Sequence, residues 1–293
     1  MARAQPILPF LAAAAGICTF SMMDATMKGA SIAAGVYSAL ALRCACGTLL
    51  MLPLWLLSGA RWPGAMVLKV HLLRSTVVAG MALLFFWGLV RIPIAEAIAL
   101  SFIAPLIALY LAAVLLGEVI QPKAVMASLL GFGGVVVIAA ARLQAGAMDQ
   151  ASGWGIASVL ASAVLYAWNL ILQRQQAQLA SPQEIALFQN LLVAAILGLA
   201  APWLLHWPGT TALRDIALAA ALAGASLLLL SWAYARAEAQ ALVPIEYTGF
   251  IWAALFGWLK FGEKVTWATL AGVVLIVIGS WIAARKPSQM TAL

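Results

Sequence analysis

Residues 87–118, WGLVRIPIAEAIALSFIAPLIALYLAAVLLGE, recur in altered form as residues 232–263, WAYARAEAQALVPIEYTGFIWAALFGWLKFGE. Without a gap, Trp87 falls on Trp232 and the terminal Gly-Glu of the first stretch falls on that of the second, an offset of 145 residues. Self-similarity at a fixed offset indicates an internal duplication, which sets the architecture of the whole chain. The offset predicts two units of similar length, residues 1–146 and 147–293.

The composition is that of an integral membrane protein. Of the 293 residues, 66% are hydrophobic and 9% are charged, whereas soluble domains are roughly 25% charged. The net charge of +7 is spread over the segments between apolar runs and forms no basic stripe, so nucleic acid is not expected as a partner. The three cysteines lie within apolar runs, and we predict no disulfide, metal or cofactor.

Ten apolar segments are long enough to cross a hydrocarbon core, which needs about 20 residues of helix. They are residues 8–28, 35–57, 67–89, 94–116, 122–142, 153–173, 184–205, 212–234, 241–261 and 265–285. The predicted fold class is therefore all-α integral membrane. Because five spans per unit is an odd number, the second unit must enter the membrane in the opposite orientation. The sequence thus predicts two inverted five-helix repeats with a site between them near the membrane midplane.

The basic residues favour one orientation of the chain. With the N-terminus in the cytoplasm, more Lys and Arg residues fall on the inner side than on the outer side, as the positive-inside rule requires. We therefore predict a multi-pass protein of a bacterial-type inner membrane with both termini in the cytoplasm.

Each half ends in a Gly-Glu pair followed by a helix rich in small residues, Lys28 ends the first span, and Arg43 lies in the second. Together with the repeat, these features resemble the drug/metabolite transporter superfamily, in the ten-helix type built from two EamA units, and overall the YddG-type amino-acid exporters. The resemblance implies secondary active or facilitative export by alternating access. The implied substrates are amino acids, above all hydrophobic or aromatic ones, and related small neutral metabolites. The alternative is export or import of another small metabolite, such as a nucleobase or vitamin, or of a cationic drug.

Glu118 and Glu263, the carboxylates of the two Gly-Glu pairs, are interpreted as structural residues. Each stands at the boundary between two spans, where a carboxylate can bind the free amides at the N-terminus of the helix that follows. Small residues in those helices then allow neighbouring backbones to approach closely.

Ionisable residues within a span are costly and usually face a cavity. Asp24 and Lys28 are one helical turn apart, so they share a face and can pair, with Phe20 one turn earlier. The offset matches Asp24 with Asn169 on the sixth span. This set is interpreted either as a local ion pair or as a charged lip of the substrate path. Arg43 is interpreted as an internal tether to a carboxylate or to carbonyl groups.

The fourth and ninth spans are expected to surround a substrate. Pro105 and Pro244 each remove a backbone donor, so they are candidate hinges or ordinary helix kinks, and Gly249 is a third hinge candidate. The offset places Phe102 on Tyr247, so aromatic positions of the two halves are expected to face each other. The substrate-cavity candidates are Phe20, Asp24, Arg43, Trp87, Glu96, Ser101, Phe102, Tyr110, Tyr166, Asn169, Trp232, Glu246 and Tyr247.

An aromatic cavity with a few polar groups suits small, partly apolar solutes, although Trp87 and Trp232 also fit an interfacial or packing role. The sequence holds no nucleotide-binding loop and no zinc-protease or serine-hydrolase motif, so neither a primary pump nor an enzyme is expected. Asp24, Glu96 and Glu246 are each able to carry a proton, which leaves uniport and proton coupling both open. The expected partners are an amino-acid-like solute and the lipid bilayer, and the sequence names no protein partner.

Overall fold

The computed structural model describes residues 7–59, 61–116, 122–144, 149–237, 242 and 245–284. Within these ranges the regular structure is helical, and no strand occurs. In chain order the helices are α1 Ile7–Ala34, α2 Val36–Leu57, α3 Ala65–Leu89, α4 Ile94–Ser101, α5 Ala104–Leu116, α6 Pro122–Gln144, α7 Gln150–Ala177, α8 Pro182–Gly198, α9 Ala201–Leu204, α10 Thr210–Tyr234, α11 Gly249–Phe261 and α12 Trp267–Ala284.

The outer surface of the helix bundle is apolar. Five helices, α1, α2, α3, α7 and α10, are long and apolar enough to cross a membrane, and shorter apolar helices accompany them. Large side chains such as Leu57 and Trp267 are 85% and 87% exposed. Lipid accepts such a surface, while every backbone amide must be bonded within the protein, as it is in helices. The all-α membrane fold class is therefore confirmed.

Two of the predicted spans are broken at matching positions of the repeat. In the fourth span, α4 ends at Ser101 and α5 begins at Ala104, with a turn at residues 102–103. In the ninth span, the turn is at residues 247–248, just before α11. The offset carries the first turn onto the second. The prediction of continuous helices over residues 94–116 and 241–261 is therefore wrong, and the seventh span is likewise divided, into α8 and α9.

Pro105 explains the break between α4 and α5. Its nitrogen carries no hydrogen, so the Ser101 carbonyl lacks the donor that a continuous helix would supply. The Leu106 amide donates to Ile103 in the turn, which frees the Phe102 carbonyl. That carbonyl accepts a hydrogen bond of 3.3 Å from the Ser280 hydroxyl of α12. The break is thus satisfied by a residue of the other half of the chain.

The second break packs against the first helix of the chain. Gly249 begins α11, and its carbonyl accepts a hydrogen bond of 3.3 Å from the Ser21 hydroxyl of α1. A Cβ atom at Gly249 would lie 3.4 Å from the Ile17 side chain, which is ordinary contact. The corresponding hinge candidate, Pro244, lies outside the described residues.

The packing of the helices follows the repeat. Helix α1 packs against α10 and α11, and its counterpart α7 packs against α3 and against α4 and α5. Helix α2 packs against its own counterpart α8, and α6 packs against its own counterpart α12. If the two halves are exchanged, each of these helix contacts is replaced by a contact of the same set. The two halves therefore contact each other through matching helices.

Two glycines allow α6 and α12 to approach closely. A Cβ atom at Gly134 would lie 2.4 Å from the Gly272 carbonyl oxygen, and one at Gly272 would lie 2.7 Å from the Gly134 carbonyl oxygen. Both distances are shorter than any stable contact, so these two positions require glycine. Close backbone approach of this kind is a usual means of helix association in lipid.

We expect Gly134→Ala to lower the free energy of unfolding by about 1–3 kcal/mol, the usual cost of overpacking. The measurement is thermal unfolding of detergent-purified protein. Gly133→Ala is the matched control on the adjacent residue, because a Cβ atom there meets nothing within 4 Å. The control is expected to be neutral or slightly stabilising, since alanine favours helix over glycine. Equal melting temperatures for the two variants would contradict the close contact of α6 with α12.

Candidate functional site

The two helix breaks meet at an aromatic pair. The Phe102 and Tyr247 rings are in edge-to-face contact, with centroids 5.2 Å apart and an interplanar angle of 86°. One ring comes from each half of the chain, at the position where each half departs from helical geometry. Discontinuous helices leave backbone groups free to bind a ligand, and paired discontinuities in the two halves of a membrane protein mark candidate binding sites.

A polar stripe on α7 faces a buried arginine on α3. Tyr166, Asn169, Gln173 and Gln176 are spaced three or four residues apart, so they lie on one face of the helix. The Arg74 Nε donates to the Asn169 side-chain oxygen at 2.9 Å. One terminal nitrogen of Arg74 donates to Gln176, and the other donates to Gln173 at 3.3 Å. Arg74 is 6% exposed.

The hydrogen bonds continue from this arginine toward the start of α8. The Gln176 side-chain nitrogen lies 2.5 Å from His71 Nδ1, and His71 Nε2 lies 3.1 Å from a carboxylate oxygen of Glu184. The His71 ring is fully buried and stacks on Phe188, with centroids 5.1 Å apart. The network therefore joins α3, α7 and α8, and it holds Arg74 in one orientation.

A carboxylate lies directly before the second break. The Tyr234 hydroxyl donates to Glu246, whose side chain is exposed. Tyr166 lies on the same face of α7 as Asn169, which binds Arg74. The site therefore combines one guanidinium, one carboxylate and several aromatic rings, contributed by helices of both halves.

Trp87 and Trp232 each support an arginine at the end of a helix. The Arg91 guanidinium lies 3.4 Å from the centre of the Trp87 ring, and Arg236 lies 4.3 Å from the centre of the Trp232 ring. Each arginine also donates to the carbonyl of its own tryptophan. The contacts with the rings are cation–π interactions. The hydrogen bonds satisfy backbone carbonyls near the C-termini of α3 and α10. Trp87 and Arg91 line an open pocket of about 610 Å³ at that end of α3.

Lys28, Glu96, Arg142 and Glu263 form an ionic cluster where α3 turns into α4. The Lys28 ammonium lies 2.5 Å from Glu263 and donates to the Ile92 carbonyl at 2.7 Å. Arg142 lies 2.5 Å from Glu96. The side chains of all four residues are 6–14% exposed. Lys28 and Glu263 belong to different halves, so the cluster fastens the halves together at this end.

Glu263 also binds the backbone amide of Ile94 at 2.7 Å. Ile94 is the first residue of α4, so the Glu263 carboxylate caps α4. The sequence predicts that Glu263 caps the helix that follows it in the chain, and this prediction is wrong. The cause is the turn at Gly262, whose φ of 67° reverses the chain and directs Glu263 back toward α3 and α4. Its counterpart Glu118 lies outside the described residues.

The expected pairing of Asp24 with Lys28 does not occur in the described part of the chain, because Lys28 binds Glu263 instead. Asp24 is 1% exposed and interacts electrostatically with Arg43, the tether predicted to approach a carboxylate. Oδ2 of Asp24 and Nε of Arg43 have no hydrogen-bond partner among the described residues. Arg43 also contacts the Cys44 sulfur at 3.4 Å.

The remaining candidates lie at several places around the bundle. Glu96 is 4% exposed and is bound by Arg142 in the ionic cluster. The Ser101 hydroxyl bonds within its own helix, to Ala97. Phe20 is 45% exposed, and Tyr110 is half-buried. The roles of these residues in binding stay predictions.

Arg74 and the network around it were not among the residues selected from the sequence. Arg74 lies near the start of the third span, where a basic residue also fits the inner membrane surface. The signal that was available is the spacing of His71 and Arg74, which puts them on one face of α3, opposite a polar stripe on α7.

Among the described residues, no group of three His, Cys, Asp or Glu residues is placed to hold a metal ion.

Paired helix breaks in two repeats of an apolar helix bundle are typical of multi-pass membrane transporters. The chain belongs to the EamA-like transporter family, whose model matches residues 7–140 and again residues 153–285. The resemblance to the drug/metabolite transporter superfamily is therefore confirmed.

Several relatives are transporters. The chain is 30% identical to the pseudopaline exporter CntI of Pseudomonas aeruginosa, over 89% of this chain and 90% of that protein. It is 28% identical to a riboflavin transporter of Rhizobium johnstonii, over 74% of this chain and 70% of that protein. A crystal structure at 22% identity covers 94% of this chain and 96% of its own, with a TM-score of 0.65. That last likeness supports the fold alone.

Proposed function

We propose that this protein is a secondary transporter that moves small organic solutes by alternating access between two inverted five-helix repeats, residues 1–146 and 147–293. The observation that carries the proposal is the pair of helix breaks at residues 102–103 and 247–248, which the repeat relates and whose aromatic rings touch. A solute bound at the contact of the two halves becomes accessible from one side or the other when one half rocks against the other.

The ionic cluster supports the alternating-access part of the proposal. It joins Lys28 of the first half to Glu263 of the second half at one end of α3. Arg74 lies nearer the other end of α3, about 20 Å away at 1.5 Å per residue. The cluster holds the two halves together at that end, and a state in which the halves separate there requires the Lys28–Glu263 contact to break.

The proposed substrates are amino acids, hydrophobic or aromatic ones foremost, together with related small neutral metabolites. Rings at the two breaks, a guanidinium and a carboxylate support this choice, because such a set suits a solute that carries an apolar side chain and opposite charges. The relatives named for pseudopaline and riboflavin support a small organic solute more generally. We propose export as the direction of transport and a bacterial-type inner membrane as the location, with both termini in the cytoplasm.

The experiment that tests the function is uptake into proteoliposomes of purified protein. A panel of labelled amino acids, with riboflavin as the alternative vitamin substrate, is presented with and without a pH gradient. Saturable uptake of amino acids above protein-free liposomes is the expected result, and its response to the gradient distinguishes proton coupling from uniport. Uptake of riboflavin but of no amino acid would favour the alternative substrate class. Absence of all saturable flux would overturn the proposal.

A further inference from the structure

Arg74 is a buried cation that is held by neutral groups alone. Its hydrogen-bond acceptors are the side-chain amide oxygens of Asn169, Gln173 and Gln176. In the part of the chain that the structure describes, no carboxylate forms an ion pair with it. A buried charge without an opposite charge is costly, and within a membrane such residues usually belong to a solute path.

Glu246 carries a charge opposite to that of Arg74, but the two side chains form no ion pair in the described part of the chain. Glu246 accepts a hydrogen bond from the Tyr234 hydroxyl, and no ion pair joins it to Arg74 among the described residues. Glu246 is adjacent to Tyr247, whose ring contacts Phe102 at the break that α7 packs against. Helix α7 also carries Asn169, which binds Arg74, so a cation and an anion lie near the same pair of breaks without being paired to each other.

We propose that Arg74 binds the carboxylate of the transported solute and that Glu246 binds its ammonium group, so that the site selects zwitterionic α-amino acids over amines and over carboxylic acids. The inference rests on the proposed function, because it names the groups that determine the substrate class of that same site. It also gives a reason for the two charges to remain unpaired, since the solute supplies a partner to each.

The geometry around Arg74 identifies the side from which a carboxylate reaches it. A guanidinium has five N–H donors in a planar fork and binds a carboxylate with two parallel hydrogen bonds. The longest bond in the network, 3.3 Å, is to Gln173, whose side chain is exposed. Gln173 is therefore the group that an incoming carboxylate displaces, while Asn169 and Gln176, both buried, keep the guanidinium in place.

The test compares three ligands that share one ring, namely L-phenylalanine, 2-phenylethylamine and 3-phenylpropanoate. Their dissociation constants are measured by calorimetry on purified wild-type protein and on Arg74→Gln and Glu246→Gln. Wild type is expected to bind phenylalanine roughly tenfold or more tightly than either analogue, since each charged hydrogen bond contributes about 1.5–3 kcal/mol. Arg74→Gln is expected to lose the preference over the amine and to keep the preference over the acid. Glu246→Gln is expected to do the reverse.

Two further variants separate binding from folding. Arg74→Lys keeps the buried charge, so it is expected to fold even where Arg74→Gln does not, and to retain part of the preference over the amine. Arg214→Gln removes an exposed arginine from α10 and is expected to keep both wild-type ratios. A folded Arg74 variant with both ratios unchanged would overturn the assignment. Transport by wild type of a solute that is not an amino acid, without binding of phenylalanine, would overturn the zwitterion site but leave the transporter function intact.

Discussion

Replacing Glu263 by glutamine is expected to destabilise the protein by about 3 kcal/mol or more, because it leaves the buried Lys28 ammonium without an opposite charge. Glutamine keeps an oxygen that accepts from the Ile94 amide, so the cap on α4 is retained. The loss of stability therefore measures the effect of the missing negative charge alone. Both side chains of the pair are largely buried, at 6% and 14% exposure. The measurement is thermal or denaturant unfolding in detergent, converted to a free energy where unfolding is reversible.

The pair of Lys260 with Asp215 is the matched control. Its ammonium and carboxylate are 3.3 Å apart, but the two side chains are 38% and 31% exposed. Asp215→Asn is therefore expected to cost less than about 1 kcal/mol. The double variant Lys28→Met with Glu263→Gln is expected to recover most of the stability, because it removes the unpaired charge as well. If the single and double variants were equally unstable, the Lys28–Glu263 contact would not be the cause.

The second large effect is expected at the broken ninth span. Glu246→Gln and Tyr247→Phe are each predicted to lower transport by roughly tenfold while leaving a folded, extractable protein, because each removes one charged or polar contact with the solute. Initial rates in proteoliposomes measure the effect, and monodispersity on gel filtration reports the fold. Asp215→Asn, which removes an exposed carboxylate of α10, is the control and is expected to transport as wild type does. Wild-type rates in both Glu246→Gln and Tyr247→Phe would remove this segment from the site.

The membrane class and the repeat were readable from the sequence because they depend on composition and spacing. A hydrocarbon environment requires long apolar helices, and duplication leaves matched residues such as Trp87 and Trp232 at a constant offset. The breaks in the fourth and ninth spans were only partly predictable. Proline marked their neighbourhood, but whether a proline kinks a helix or divides it depends on a partner for the freed carbonyl. Ser280 supplies that partner for Phe102, and it is 178 residues away in the chain.

The pairing of charges was less predictable than the fold. Asp24 and Lys28 are one turn apart, which favours a local pair, yet Lys28 binds Glu263 across 235 residues. Local spacing shows which groups share a face, and tertiary packing decides which partner each group meets. Arg74 was missed for the same reason, since its burial depends on the stripe of amides on α7. Contacts between distant segments are not encoded in the periodicity of either segment.

Counterflow in proteoliposomes tests the central claim most directly, namely that a carrier with one alternately exposed site is formed between the two halves. Vesicles are loaded with a high concentration of unlabelled amino acid and diluted into a trace of the same labelled amino acid without any ion gradient. The account predicts a transient accumulation of label above its equilibrium level, because a returning site carries label inward in exchange for unlabelled solute. A rise to equilibrium without overshoot, or no movement of label, would contradict it.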